Sequence, residues 1–182
     1  MRRFAFSLLK LFCLFTGFAT VNAAEPIQPP LILAVHPYLP SAEIQQRFAP
    51  LADYLSKQLG RQVQVRVGPN FEQHIEAIGI NSVDIAFMGP ASYVKMVACH
   101  GAKPLLARIE IKGKPIFSGY IITRADSALR TLADLRGRRF AFADLDSAMG
   151  TVVPRYVMQQ AGVGLKHLGA YQHLGGYEDV AL

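Results

Sequence analysis

The chain has 182 residues and a formal net charge of +6, and its length suits one domain or two small lobes. Three basic residues and no acidic residue precede position 24, so the rest carries 16 basic and 13 acidic residues, a net charge of +3. This small charge removes the main support for a nucleic-acid partner. After position 23 only Cys99 remains, which excludes an internal disulfide and leaves stability to a packed core.

The first 23 residues have the pattern of a cleavable export signal. Arg2 and Arg3 precede an almost wholly apolar run over 4–20, and Val21-Asn22-Ala23 supplies the small residues that signal peptidase requires. The alternative is an uncleaved membrane anchor, but Lys10 leaves fewer than the roughly 20 apolar residues that a spanning helix needs. We therefore predict a signal peptide over 1–23 and a periplasmic location, reached by secretion through the inner membrane.

Strand and helix patterns alternate along the rest of the chain, after a short proline-rich linker at 24–30. Residues 31–35 form a continuous apolar run, typical of a strand buried on both faces, and 41–59 carry an apolar stripe at helical spacing. This alternation favours parallel sheets with helices on both faces. The other predicted strands are 62–67, 83–87, 104–109, 117–123 and 139–143, and the other helices are 71–78, 90–99, a short one opening at 131, and 150–160, with a turn at 112–115.

Three strand-to-helix loops carry chemically useful groups: 36–41, 88–93 and 144–151. Ligands bind beside such loops, at the carboxyl ends of the strands in open α/β sheets. In 144–151, the backbone N–H groups at a helix N-terminus and the hydroxyl of Ser147 could hold an anion. The alternative, given equal weight, is that Asp146 or Ser147 only caps the helix.

Catalytic and metal-binding constellations are absent from the sequence. No two of the five histidines have zinc-hydrolase spacing, and there is neither a Gly-x-Ser-x-Gly elbow nor a Walker-type loop. Cys99 and His100 are adjacent, and neighbouring side chains on a helix do not face each other. We therefore expect a protein that is not an enzyme and that needs no cofactor and no metal.

Six segments occur together in the order that characterises one family. They are 48–55 (FAPLADYL), 83–93 (VDIAFMGPASY), 118–120 (SGY), 132–137 (LADLRG), 144–154 (DLDSAMGTVVP) and 175–182 (GGYEDVAL). These segments resemble the periplasmic phosphonate-binding proteins of ABC importers, and the resemblance runs from about Leu31 to the last residue. It implies an α/β, type II periplasmic binding protein fold, with two hinged lobes that contain doubly wound sheets. We place lobe 1 at 31–115 and an incomplete lobe 2 at 116–182.

The resemblance also implies a ligand site. The family's aromatic residue after the second strand corresponds to Phe71, and its tyrosine after the interlobe crossing corresponds to Tyr120. Its Ser-Thr-Ser run falls on Ser147-Ala148-Met149, and a histidine falls on Tyr177. Phe71 lacks the common tyrosine hydroxyl, and the alanine and methionine replace hydroxyl donors at a cost of about 1–3 kcal/mol each. We therefore expect weakened phosphonate binding and a better fit for a less charged or larger ligand.

The implied function is capture of a small oxyanion (phosphonate, phosphite, phosphate or a related ion) by a monomeric receptor. That receptor would deliver the anion to an ABC permease in the inner membrane. The alternative is a ligand-sensing input domain of a signalling protein, such as a histidine kinase or cyclase, whose output module would follow residue 182. The chain stops at Ala181-Leu182, inside an apolar pattern and before the family's second lobe is finished, so we expect the sequence to be a fragment.

Overall fold

The computed structural model describes residues 28–181, in which two parallel sheets organise the chain. The predicted signal peptide at 1–23 lies outside the described residues, and so do residues 24–27 of the predicted linker. Residues 28–30 have no regular secondary structure. Within 28–181, none of the helices combines the length and apolar character that a bilayer-spanning segment requires.

The first sheet has three parallel strands in the order β2-β1-β3. Its strands are β1 (Leu31–Val35), β2 (Val63–Val67) and β3 (Ile85–Phe87), and its helices are α1 (Ser41–Leu59), α2 (Phe71–Gly79) and α3 (Pro90–His100). From β1 the chain moves outward to β2 and then crosses back to β3 on the other side of β1. Because such crossovers are right-handed, α1 and α2 cover opposite faces of the sheet. The predicted doubly wound arrangement is confirmed.

Separate apolar clusters hold the helices in place. One cluster joins α1 to the first sheet through fully buried side chains, among them Val35 and Ile44. A second cluster joins α2 to α3 through Ile75, Ile78 and Met96. The chain leaves α1 at Gly60, whose φ of 60° lies in the left-handed region where glycine has no steric penalty.

The second sheet pairs β4 (Arg139–Phe142) with β5 (Ala170–His173) in parallel. Between them lies a wide helical turn, Ala148–Val152, which continues into α4 (Val153–Gln160). Short 3-10 turns at Leu132–Leu135 and Leu165–His167 flank the sheet, and α5 (Tyr177–Ala181) follows it. The most deeply buried members of the cluster that joins β4 to α4 are Phe142, Met158 and Val163.

Most predicted elements are confirmed to within two residues. The helix start at Thr131 is formed as a capping box, in which the Asp134 carboxylate accepts hydrogen bonds from the Thr131 N–H at 2.7 Å and its hydroxyl at 2.9 Å. Pro154 is the second residue of α4, directly after the wide turn at 148–152, so its missing N–H falls at the junction of the two helical segments. The sequence analysis did not predict β5 or α5.

The strands predicted at 104–109 and 117–123 are wrong. The turn between them is present, because Ile111 and Lys114 exchange two hydrogen bonds of 2.9 and 3.1 Å around Lys112 and Gly113, both at positive φ. The flanking residues pair with no strand of the described chain, and large side chains there are exposed (Tyr120 86%). An apolar strand pattern does not by itself produce a strand, since the backbone N–H and C=O groups need hydrogen-bond partners on a neighbouring strand. The predicted lobe boundary at 115 falls in this irregular segment and stays a prediction.

Candidate functional site

An aromatic cluster lies at the carboxyl edge of the first sheet, which we call the edge cluster. It consists of His36, Tyr38, Phe71, His74 and Phe87. The His36 ring is central, since its centroid lies 5.1 Å from Tyr38, 5.0 Å from Phe71 and 5.3 Å from Phe87. The loops after β1 and β3 depart towards opposite faces here, and this is where ligands bind in doubly wound sheets.

The two histidines of the edge cluster are buried and uncharged at neutral pH. His36 is 8% exposed and His74 is 2% exposed. Burial lowers the pKa of each to about 4; for His36 the neighbouring His74 adds to the effect and the Phe87 carbonyl opposes it. The Nε2 atom of His74 lies 3.1 Å from the Phe87 carbonyl oxygen. The Nδ1 atom of His36 is buried and has no hydrogen-bond partner among the residues that the structure describes.

The loop from Asp144 to Val152 connects β4 to α4. Ser147 caps the helix, because its Oγ accepts a hydrogen bond from the Gly150 N–H at 3.0 Å. The same Oγ lies 2.9 Å from the Tyr177 hydroxyl, and Ser147 is only 2% exposed. Gly150 permits this packing, since a Cβ at that position would lie 2.3 Å from the Cβ of Ala143. The capping role considered for Ser147 is therefore present.

Backbone donors at the start of this helix remain available for an anion. Within residues 28–181, no hydrogen bond is formed by the N–H groups of Ala148 and Met149. They open a continuous helical stretch, 148–160, whose dipole places partial positive charge at this end. The loop beneath is braced by the Thr151 hydroxyl, which donates to the Ala143 carbonyl at 3.2 Å.

Asp146 joins this loop to α3 of the first sheet. The buried Ser92 hydroxyl donates to the Asp146 carbonyl at 3.2 Å, and Lys95 Nζ donates to the Asp146 carboxylate at 2.7 Å. The hydrogen bond to Asp146 raises the pKa of Lys95. Asp144 accepts the Asp146 N–H at 2.8 Å, and partial burial raises the pKa of Asp144. The N-terminus of α3 therefore faces the N-terminus of the 148–160 helix.

The structure brings most, but not all, of the predicted site residues together. Ser147, Ala148, Met149 and Tyr177 lie at one place, joined by the Ser147–Tyr177 hydrogen bond. Met149, Tyr177 and Tyr120 also line a cavity of about 760 Å³ beside the second sheet. Phe71 is not among the residues that line this cavity, and it packs instead on His36 in the edge cluster.

Sequence reasoning missed several residues at these places. His36 belongs to a loop that was recognised as chemically useful, but no role was assigned to its side chain. The contacts of Ser92 and Lys95 with Asp146 span 54 and 51 residues, so no local periodicity reveals them. In the described part of the chain, no group of three or more histidine, cysteine, aspartate or glutamate side chains could hold a metal ion.

Solved structures share this fold, which is that of type II periplasmic binding proteins. A binding-protein component of an ABC phosphonate transporter from Pseudomonas aeruginosa superposes with a TM-score of 0.65 at 21% identity, over 83% of this chain and 52% of that one. PhnD1 from Prochlorococcus marinus (MIT 9301), in complex with methylphosphonate, gives 0.62 at 20% identity, over 82% of this chain and 57% of that one.

Sequence comparison identifies the family. The model for the ABC transporter, phosphonate, periplasmic substrate-binding protein matches residues 33–182. The phosphate-import protein PhnD of Mycolicibacterium smegmatis is 31% identical over 146 residues, 78% of this chain and 45% of that protein. The phosphonates-binding periplasmic protein of Escherichia coli K12 is 28% identical over 124 residues, 64% of this chain and 37% of that protein. The chain belongs to this family of substrate-binding components of ABC transporters, and it spans less than half the length of these two relatives.

Proposed function

We propose that this chain is the ligand-capturing part of a periplasmic receptor for a small oxyanion, which it delivers to an ABC permease in the inner membrane. The observation that carries the proposal is the pair of unbonded N–H groups, from Ala148 and Met149, at the start of the 148–160 helix. Adjacent N–H groups at the positive end of a helix are a ready anion site. Family membership supports the same class of ligand, since one relative is named for phosphate import and another for phosphonates.

The other predicted site residues have distinct roles in this proposal. Ser147 holds the loop over 144–152, which we call the anion loop, in shape, and its hydrogen bond with Tyr177 places a second hydroxyl beside the helix start. Tyr120 contributes from the irregular segment, which lines the same cavity. Phe71 contributes an apolar ring from the edge cluster. In this proposal Phe71 belongs to lobe 1, and Tyr120, Ser147 and Tyr177 belong to lobe 2, with the lobes divided at residue 115.

The side chains at the helix start determine which oxyanion fits. Ala148 and Met149 provide no hydroxyl donor, so only backbone groups and the two neighbouring hydroxyls neutralise the anion. Each missing donor to a buried anion costs about 1–3 kcal/mol, which penalises a doubly charged ion most. The proposed ligand is therefore a singly charged oxyanion or one that carries an organic group.

The whole-protein context belongs to the same proposal. It includes export by a cleaved signal peptide over 1–23, a monomeric state and the absence of a nucleic-acid partner. The small net charge of +3 after residue 23 supports the absence of a nucleic-acid partner. The sensory input domain is not favoured, because the relatives with known names are transport components.

Calorimetric titration of the full chain with phosphate, phosphite and methylphosphonate tests the proposal. We expect binding of at least one of these anions, weakened about tenfold by Ser147→Ala through loss of the cap and its hydroxyl. Met149→Ser restores a donor and should strengthen binding. Ser82→Ala is the matched control, because the Ser82 hydroxyl donates to the Ala77 carbonyl in α2 and makes no hydrogen bond with the anion loop. Absence of binding to all three anions would contradict the proposed function.

A further inference from the structure

The Nδ1 atom of His36 is a polar atom whose burial needs an explanation. The residue is 8% exposed, and this nitrogen forms no hydrogen bond with any described group. An unsatisfied buried polar group is destabilising, so each such atom in a folded protein calls for an explanation, of which a functional role is one. His74, its buried neighbour, has the Phe87 carbonyl as a partner, so burial of a histidine in this cluster does not by itself leave a nitrogen unpaired.

The position of His36 points to a ligand. His36 follows the last residue of β1, and β1 pairs with β3 so that Val35 lies opposite Phe87. The ring therefore lies where the two flanking loops diverge, which is the ligand crevice of doubly wound sheets. A Cβ on Gly89, the residue before α3, would lie 3.8 Å from Cε1 of His36, and α3 in turn contacts the anion loop through Ser92. The ring and the anion loop thus flank the same helix N-terminus.

The surroundings of the ring limit what it can bind. The contacts of His36 in the edge cluster are aromatic rings and one uncharged histidine, with no carboxylate among them. Tyr38 and Phe87 are only half-buried, so they offer apolar surface beside the imidazole. A neutral imidazole provides one N–H donor and one acceptor without adding charge. This combination suits an acceptor oxygen with an apolar substituent attached nearby.

We propose that His36 contacts the ligand directly: its imidazole donates a hydrogen bond to an oxygen of the bound oxyanion, and the rings of Tyr38, Phe71 and Phe87 receive an apolar substituent. The edge cluster is then the subsite that distinguishes an oxyanion with an organic group from an inorganic one. This inference rests on the proposed function, because it supplies the second half of the same binding site.

The test uses the full chain, with methylphosphonate and phosphate as probes. His36→Phe retains a ring among its aromatic neighbours and removes the unpartnered nitrogen, while His36→Asn keeps a donor near the position of Nδ1. We expect His36→Phe to weaken methylphosphonate binding about tenfold or more and His36→Asn to recover most of that loss. Phosphate binding should weaken by a similar factor in His36→Phe, since the imidazole donates to an oxygen that both anions carry.

Nitrogen NMR of the histidine-labelled wild type gives a readout that does not depend on folding of a variant. Methylphosphonate should shift the ring nitrogen signals of His36 and leave those of His100, which pairs with Glu76 on the helical layer, unchanged. Methylphosphonate binding with unmoved His36 signals and equal affinity in His36→Phe would overturn this inference and leave the proposed function standing. Failure of the wild type to bind any oxyanion would overturn both.

Discussion

Acid should destabilise this protein through its two buried histidines, and His36→Phe isolates one of them. The pKa of His36 is about 4 in the folded chain and 6.5 in the unfolded chain, so the unfolded state binds the extra proton between these values. The stabilisation is therefore complete above about pH 6.5 and is lost as the pH falls towards 4. When the pH falls from 7 to 5, each such histidine lowers the free energy of unfolding by about 2 kcal/mol. His74 contributes in the same direction.

The assay is urea unfolding of the wild type and of His36→Phe at a series of pH values from 7 to 5. At pH 7 the variant should be at least as stable as the wild type, because it removes an unpaired buried nitrogen and retains a ring. At pH 5 the variant should be more stable by about 2 kcal/mol, because it lacks the His36 imidazole while the other titrating groups are present in both proteins. Parallel pH profiles would refute the assignment of a neutral, buried His36.

Three further experiments, with four substitutions, test the packing that positions the site. Gly150→Ala should lower the free energy of unfolding by about 1–3 kcal/mol, because the new Cβ collides with Ala143; a thermal midpoint equal to that of the wild type would contradict that contact. Lys95→Ala and Asp146→Asn in a double-mutant cycle should show a coupling of about 0.5 kcal/mol that falls with added salt, since the pair is partly exposed; zero coupling at low salt would exclude the ion pair from stabilising the contact with α3. Phe142→Ala should cost about 3–5 kcal/mol by urea unfolding, and a loss below 1 kcal/mol would show that the second sheet's cluster is not a packed core.

Local patterns predicted the elements whose partners are close in sequence. The helix over 41–59 was predictable because its apolar stripe faces a sheet built by the strands on either side of it. The capping box at Thr131 and the turn at Lys112-Gly113 were predictable because their hydrogen bonds span three residues. The segments 104–109 and 117–123 have the composition of strands, but pairing depends on a distant partner, and a local pattern contains no information about one.

The candidate site likewise contains residues that the sequence could identify and residues that it could not. Ser147 was identified because capping residues and helix starts have a local signature, and its neighbours Ala148 and Met149 were identified from the resemblance to the family. The edge cluster could not be assembled from sequence, because His36, Phe71 and Phe87 come from three separate elements and meet only when the strands are in register. The unpaired state of His36 Nδ1 is likewise a property of the packed structure, since no sequence pattern reports on a missing hydrogen bond.

The sequence by itself determined the alternation of strands and helices, the family and the helix start at Ser147, because each depends on short-range periodicity or on an ordered set of motifs. Only the tertiary structure decided that Asp146 ties the anion loop to α3 and that two uncharged histidines lie at the sheet edge. The physical reason is burial: the neutral state of His36 and His74 arises from removal of water by residues far away in the chain.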